Sequence, residues 1–198
     1  MKQIVLATRN KGKLKEFREL FTPMGIEVLG VDEISSVPDV EEDGDTFAAN
    51  AIKKAETISQ ALGMPALADD SGLEVDALQG QPGVLSARFA GFHATDEENN
   101  RKLTVMLENI PLEKRSARFV CVLAFAIPGQ KTITAQGVCE GLILTEPEGN
   151  GGFGYDPYFY VPQLKQTMAQ LPPDEKNKIS HRGQALLKLE KVVRERFM

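Results

Sequence analysis

The opening segment constrains the fold most, because it places one helical stretch between two short apolar ones. Residues 2–8 are rich in branched side chains and predict a buried strand, and residues 26–31 predict a second one. Four apolar residues between them recur at helical spacing: Leu14, Phe17, Phe21 and Met24. A strand, helix and strand of this length predict a right-handed crossover and a partly parallel sheet.

The rest of the chain continues to alternate helical and strand-like segments. A helical period runs from Phe47 to Leu62, and residues 66–68 predict a strand that ends in the acidic sequence Asp-Asp-Ser-Gly. A capping-box pattern opens another helix at Thr95, and residues 118–139 predict a hairpin across a Pro-Gly turn. This order predicts an α/β protein with a mixed sheet.

Length and composition exclude several classes of protein. The 198 residues suit one domain, or one domain with two lobes, and 42% hydrophobic against 26% charged residues excludes a disordered chain. The longest apolar run, residues 119–127, is much shorter than the ~20 residues of a membrane span. Two cysteines do not make a disulfide framework. We therefore expect a reduced, cytoplasmic protein with no membrane partner.

The charge pattern is more informative than the net charge. A net charge of −5 argues against a nucleic-acid partner. Residues 32–45 contain seven acidic side chains and no basic one, whereas basic residues cluster in residues 2–18 and 176–182. This division suits a metal-bound anionic small molecule, although scattered, solvated charge explains most such runs.

Residues 8–13, Thr-Arg-Asn-Lys-Gly-Lys, lie where the first strand meets the first helix and are the first candidate site. A helix N-terminus attracts phosphate through its free amides and its dipole. Thr8 and Asn10 add polar side chains, and Lys13 adds a positive charge. The segment is not a Walker A loop, and an ordinary capped helix with exposed lysines explains the pattern about equally well.

The second and third candidates are acidic. Asp69 and Asp70 follow an apolar strand, where adjacent carboxylates need a cation or hydrogen-bond donors nearby. Mg²⁺ prefers one or two carboxylates together with substrate phosphates and water. Residues 41–45 can supply a second carboxylate. The alternatives are a plain turn at residues 69–72, and solvation or helix capping by the acidic loop.

Two further candidates lie in the second half of the chain. In residues 151–157, glycines flank Phe153 and Tyr155, so that the rings can stand beside a planar ligand while Asp156 bonds its edge. In residues 180–183, His181 and Arg182 offer donors for carbonyl or phosphate oxygens. The alternatives are a glycine-rich turn with core aromatics and a capped final helix.

Taken together, these motifs resemble the inosine triphosphate pyrophosphatase family, also described as dITP/XTP pyrophosphatases. They run in the family's order over nearly the whole chain. The shared segments are residues 8–13, 41–47, 50–51, 68–72, 82–88, 151–157 and 179–185. Some relatives have Trp where this chain has Tyr155.

The resemblance implies an activity and an architecture. The activity is Mg²⁺-dependent hydrolysis of purine nucleoside triphosphates with a 6-oxo group, such as ITP, dITP and XTP, to the monophosphate and pyrophosphate. It implies that the chain clears deaminated purines from the nucleotide pool. The implied fold is a long mixed sheet flanked by helices, in two lobes with a central substrate cleft, formed by residues 1–198 as one domain and assembled as a homodimer.

The resemblance also implies roles for individual residues. Asp70 binds Mg²⁺ with Glu41, or with Glu42 as the alternative, and accepts the proton of the attacking water. Asp69 and Lys54 support that site. The residues implied to hold the triphosphate are Thr8, Arg9, Asn10, Lys11, Gly12 and Lys13. The residues implied to contact the nucleoside are Ser71, Phe153, Gly154, Tyr155, Asp156, Lys176, His181 and Arg182.

Three other functions remain as alternatives. The first is a Maf-type pyrophosphatase of other base specificity, acting on modified or pyrimidine triphosphates, but residues 153–156 and 180–182 argue against it. A haloacid-dehalogenase-like phosphatase needs an Asp-x-Asp pair, whereas Asp69 and Asp70 are adjacent. A nucleotide sensor without turnover does not need the carboxylates.

Overall fold

A computed structural model describes residues 2–34 and 37–197 of the chain. The strands are β1 (Lys2–Leu6), β2 (Ile26–Gly30), β3 (Ala66–Val75), β4 (Ser116–Ala126), β5 (Ile133–Ile143), β6 (Phe159–Val161) and β7 (Gln166–Thr167). The helices are α1 (Lys11–Phe21), α2 (Phe47–Leu62), α3 (Asp96–Leu107), α4 (Pro173–Ile179) and α5 (His181–Phe197). None of the described helices is long and apolar enough to cross a membrane.

The seven strands form one mixed sheet in the order β2-β1-β3-β4-β5-β6-β7. β1 pairs in parallel with β2 and with β3, as the opening strand–helix–strand pattern predicts. β6 pairs antiparallel with both β5 and β7. The predicted α/β class with a mixed sheet is therefore confirmed, while the sequence analysis did not predict β7 or the short helix α4.

The acidic pair lies inside a strand, which corrects the prediction that residues 69–72 end one or form a turn. β3 continues without a break from Ala66 to Val75 and contains Asp69 and Asp70. Its register with β1 sets Leu6 opposite Leu67, and β1 ends there. The two carboxylates therefore extend just past the carboxyl end of β1, and cations beside them (described below) make a charged position inside a strand tolerable.

The chain divides into two compact units. Unit 1 comprises residues 1–70, 121–137 and 182–198, and unit 2 comprises residues 71–120 and 138–181. Strands β3, β4 and β5 each contribute residues to both units. Because the division falls between Asp70 and Ser71 and between His181 and Arg182, predicted site residues that are neighbours in sequence belong to different units.

Each unit has its own apolar core. In unit 1, the inner faces of α1 and α5 pack with β1, β2 and the last part of β4, and Phe17, Leu123 and Leu189 are fully enclosed. In unit 2, α3 packs with the aromatic residues of β4 and β6, including Phe119 and Phe159. These cores fix the backbones that carry the polar side chains described next.

Candidate functional site

The turn between β1 and α1 is organised by its own side chains. Asn10 caps α1, its Oδ1 accepting a hydrogen bond from the Lys13 amide at 3.1 Å. Thr8 Oγ1 accepts one from the Asn10 amide at 3.2 Å. Lys11 is exposed at the first position of the helix, and Gly12 is half-buried behind it. The predicted capped helix N-terminus is therefore present.

Asp69 is the centre of a buried cluster of charges in unit 1. Its side chain is fully enclosed and forms an ion pair with Lys13. Arg182 Nε lies 3.3 Å from Asp69 Oδ2, and the same guanidinium donates from Nη1 to Glu16 Oε2 at 3.0 Å. The Cys121 thiol also donates to Asp69 Oδ2, at 3.2 Å. Two cations and a thiol thus converge on one carboxylate.

This surrounding decides the charge of Asp69. Burial by itself disfavours the ionised carboxyl, but the nearby Lys13 and Arg182 outweigh that effect and hold the pKa of Asp69 well below its usual range. The same enclosure raises the pKa of the Cys121 thiol, which stays protonated and acts as a donor. Asp69 is therefore an anion that fixes the position of two cations.

Asp70, the next residue, lies in surroundings that shift its pKa in the opposite direction. Its Oδ2 accepts a hydrogen bond from Asn50 Nδ2 at 3.0 Å, while Lys54 Nζ lies 3.9 Å from Oδ1. Lys54 instead donates to Glu42 Oε1 and to the Asp69 carbonyl, both at 2.8 Å. Burial raises the pKa of Asp70 to about 6, the Glu42 carboxylate adding to the shift and Lys54 opposing it. Asp70 is thus poised to exchange a proton near neutral pH.

Glu41 and Glu42 are adjacent in the acidic loop but have different surroundings. Glu42 is half-buried and paired with Lys54, whereas Glu41 is exposed and forms no ion pair within residues 2–34 and 37–197. The resemblance implied Glu41 as the metal ligand, but in this conformation the carboxylate that acts on Asp70 is that of Glu42.

Exposed ion pairs hold the ends of the same loop. Arg9 reaches Asp32 at 2.5 Å and Asp39 at 3.3 Å, and Lys53 pairs with Asp43 at 2.6 Å. Arg9, implied as a triphosphate ligand, is thus engaged with the acidic segment. Asn50 connects the loop to the strand, because its Oδ1 accepts the Gly44 amide at 2.7 Å while its Nδ2 donates to Asp70.

The carboxylates suit a hard divalent cation. Among the described residues, no three His, Cys, Asp or Glu side chains gather as a protein cage for a metal ion. Mg²⁺ does not need one, since it takes one or two carboxylates and completes its shell with phosphate and water oxygens. Burial raises the pKa of Asp70, the Glu42 carboxylate adds to the shift, and a bound cation favours the ionised form of Asp70. The donor set therefore fits the implied metal.

In unit 2, the glycine-rich loop is closed by Asp156. Its Oδ2 accepts the Phe153 amide and the Lys176 ammonium, each at 2.8 Å. Lys176, on α4, is buried and lies 5.2 Å from the centre of the Phe153 ring. Gly152 has a positive φ of 74°, and a Cβ there would overlap the Asp156 carboxylate. Asp156 thus holds the loop together in addition to its implied role at the base.

Aromatic rings position His181. Phe119 lies between His181 and Phe159, with ring centres 4.9 Å from the first and 4.3 Å from the second, both nearly parallel. Tyr155 is buried and donates its hydroxyl to the Ser86 carbonyl at 2.7 Å. Ser71, implied as a nucleotide contact, lies on β3 in unit 2.

Several residues that organise the site were not assigned a role from sequence. Asn50 has a weak signal, since it lies within a shared motif, but nothing in the sequence reveals its contact with Asp70. Cys121 and Phe119 look like ordinary core residues of a strand. Their contacts with Asp69 and His181 connect residues distant in sequence, and periodicity carries no such information.

Comparison with known proteins identifies the family. A sequence model of the Ham1 family matches residues 4–192. The chain belongs to the Ham1 family. Among its relatives, a dITP/XTP pyrophosphatase of Desulforamulus reducens is 55% identical over 196 residues. The match covers 99% of this chain and 98% of the relative. A dITP/XTP pyrophosphatase of Geobacillus kaustophilus is 53% identical, covering 96% and 93%.

Solved structures give the same result for the fold. The Ham1 protein of Staphylococcus aureus has a TM-score of 0.86 at 44% identity, covering 98% of this chain and 99% of that one. A Ham1 protein of Coxiella burnetii has a TM-score of 0.87 at 49% identity, covering 98% and 100%. The family and fold expected from the motifs are confirmed.

Proposed function

We propose that this Ham1-family chain hydrolyses nonstandard purine nucleoside triphosphates, dITP, ITP and XTP, to the monophosphate and pyrophosphate. The observation that carries the proposal is the buried carboxylate pair, in which Asp69 is paired with Lys13 and Arg182 while Asp70 is hydrogen-bonded to Asn50 and has its pKa raised to about 6 by burial. A protein that only binds nucleotides has no need of the second group. Relatives at 53% and 55% identity are named dITP/XTP pyrophosphatases, which supports the same activity.

The first turn of α1 is proposed to bind the triphosphate. Free amides and the dipole of this helix end favour phosphate oxygens, and Lys13 adds a cation there. Lys13 is held against Asp69, so its ammonium is ordered before the substrate arrives. Such preorganisation lowers the free energy needed to stabilise the pyrophosphate leaving group. Thr8 and Asn10 order the turn itself.

Asp70 and Glu41 are proposed to hold Mg²⁺. Glu42 is already the counter-ion of Lys54, which leaves the exposed Glu41 carboxylate as the second acidic ligand from the same loop. When bound, the ion supplies Lewis acidity at the phosphates and lowers the pKa of a nearby water. Lys54 and Asn50 keep the Asp70 carboxylate in place.

Asp70 is also proposed to take the proton of the attacking water. The water attacks the α-phosphorus, its proton passes to an Asp70 oxygen, and the bond to the pyrophosphate oxygen breaks. Burial raises the pKa of Asp70 to about 6, and a bound cation lowers it from there, so the carboxylate is ionised at pH 7, as a proton acceptor must be. Lys13 neutralises the charge that develops on the leaving group.

Unit 2 is proposed to recognise the base. Phe153 offers a ring for stacking beside the Lys176 ammonium, and His181 offers a donor to a 6-oxo group. Adenine has an amino group at that position, so the donor remains unpaired, at a loss of about 1–3 kcal/mol. ATP is therefore expected to be a poor substrate.

One assay tests the proposal against its alternatives. Purified protein and Mg²⁺ are incubated with ITP, XTP, GTP, ATP and dTTP, and pyrophosphate and orthophosphate are measured separately. Pyrophosphate from ITP or XTP is the expected result. Preferred hydrolysis of dTTP indicates a Maf-type enzyme, orthophosphate alone a phosphatase, and binding without product a sensor.

We further propose that the chain works in the cytoplasm as a homodimer and as one pyrophosphatase domain over residues 1–198, to which both units contribute. Clearing deaminated purines from the nucleotide pool is the corresponding biological role. Light scattering coupled to gel filtration tests the dimer, since a mass near 21.7 kDa indicates a monomer and twice that mass a dimer.

A further inference from the structure

Helix α3 is hydrogen-bonded to the glycine-rich loop of unit 2 at Gly154. The Gly154 amide donates to Asp96 Oδ2 at 2.7 Å, and the Gly154 carbonyl accepts from Asn100 Nδ2 at 2.9 Å. Asp96 is the first residue of α3 and Asn100 lies four positions later, so both project from one face of the helix. Both polar groups of one loop residue are therefore bound by the same helix.

Gly154 lies between the two aromatic residues of the loop. Its φ of 62° falls in the left-handed region, which turns the chain between Phe153 and Tyr155. Asp156 holds the Phe153 amide, and Ser86 holds the Tyr155 hydroxyl. The two hydrogen bonds of Gly154 hold the peptide groups on both sides of it and so restrain the backbone that carries Phe153.

Asn100 is not explained by packing alone. It is only 6% exposed, and its Oδ1 finds no hydrogen-bond partner within the described part of the chain. A buried amide oxygen without a partner carries a desolvation penalty, so an apolar residue of similar size suits the helix at least as well. The contact that justifies an asparagine at this position is the one with Gly154.

We propose that Asp96 and Asn100 are positioning residues for base recognition, which orient Phe153 through the Gly154 backbone. This inference rests on the proposed function, since it assigns Phe153 to the base. Both residues bond to the loop that is proposed to recognise the base, so their loss is expected to weaken binding of the substrate and leave the chemical step intact. Residues whose role is only structural would lower activity in proportion to lost stability.

The test compares Asp96→Ala and Asn100→Leu with Glu97→Ala, an exposed neighbour in the same first turn of α3. Losing Glu97 removes the same favourable charge from the helix end, but no contact with the loop. We expect KM for ITP to rise about tenfold in both loop variants, with kcat changed less than about threefold. Asn100→Leu is expected to keep or raise Tm, and Asp96→Asn, which retains an acceptor oxygen, to restore KM.

A second measurement reports on the stability of the loop backbone itself. Amide hydrogen exchange of residues 153–155 is expected to speed up in Asp96→Ala and Asn100→Leu, but not in Glu97→Ala. Unchanged KM and exchange in the two loop variants overturn the proposal, as does an equal loss in the control. Wild-type protein inactive on every triphosphate overturns the proposed function, and the role in base recognition with it.

Discussion

The two units hold their site residues by different forces. In unit 1, the side chains are fixed by charge: Asp69 against Lys13 and Arg182, and Lys54 against Glu42. In unit 2, backbone hydrogen bonds and stacked rings fix the site residues, together with a buried ion pair between Asp156 and Lys176. The contrast suggests that unit 1 is built for charge neutralisation and unit 2 for orienting flat groups.

Within unit 1, the two adjacent carboxylates respond to pH in opposite directions. Asp69 has a lowered pKa, so its contribution to stability is present above its ordinary pKa of 3.8 and is lost as the pH falls further. Asp70 has a raised pKa, so its ionisation weakens the fold as the pH rises from about 4 to about 6. Adjacent carboxylates thus act in opposite directions.

The largest expected effect is from Asp70→Asn. Removing the proton acceptor is expected to lower kcat for ITP by about 10²–10⁴-fold, measured as pyrophosphate release. The same change removes an unfavourable buried charge, so the free energy of unfolding rises by about 3 kcal/mol above pH 6 and is unchanged below pH 4. Near-normal turnover excludes Asp70 from the reaction.

Asp69→Asn tests the charge cluster itself. Lys13 and Arg182 lose a buried counter-charge, and we expect a loss of about 3–5 kcal/mol in the free energy of unfolding, measured with urea. Asp43→Asn breaks an exposed pair with Lys53 and provides the control, with an expected loss below about 1 kcal/mol. Equal losses in the two variants would contradict the idea that unit 1 depends on buried charge.

Variants of the two neighbouring glutamates test which of them binds the metal ion. We expect Glu41→Gln to raise the Mg²⁺ concentration for half-maximal rate about tenfold, because one carboxylate ligand is lost. Glu42→Gln is expected to act through Lys54 and to leave the Mg²⁺ dependence closer to that of the wild type. The reverse order of effects would make Glu42 the ligand.

Phe119→Leu tests the ring stack of unit 2. Loss of the Phe119 ring frees His181, and we expect the ratio of kcat/KM for ITP over ATP to fall about three- to tenfold, equivalent to about 0.5–1.5 kcal/mol. Phe89→Leu, in the same core but outside the stack, is the control. The chain has two histidines, so the NMR chemical shifts of His181 can be compared with those of His93 as an internal reference. Unchanged His181 shifts in Phe119→Leu would contradict the stacking of the two rings.

The smallest effect is expected from Tyr155→Phe. It removes one buried hydrogen bond, to the Ser86 carbonyl, and we expect a loss of about 0.5–1.5 kcal/mol in stability with kcat nearly unchanged. Thermal unfolding and ITP turnover measure the two effects. A large fall in kcat would mean that the Tyr155 hydroxyl has a role in the reaction.

Much of the fold was predictable because its signals are local. Asn10 and Thr95 cap helices through contacts three residues away, and the parallel start of the sheet follows from one crossover. The unbroken strand through Asp69 and Asp70 was not predictable, because those residues favour turns in isolation and only cations from elsewhere in the chain stabilise them in a strand.

The sequence alone determined most of the helices and strands, and its motifs determined the family. Only the tertiary structure decided which charges meet. Arg182 reaches Glu16 across 166 positions of sequence, and the same guanidinium lies beside Asp69. The physical reason is that caps and periodicity act over three or four residues, whereas a buried ion pair depends on strand register and core packing, which involve the whole chain.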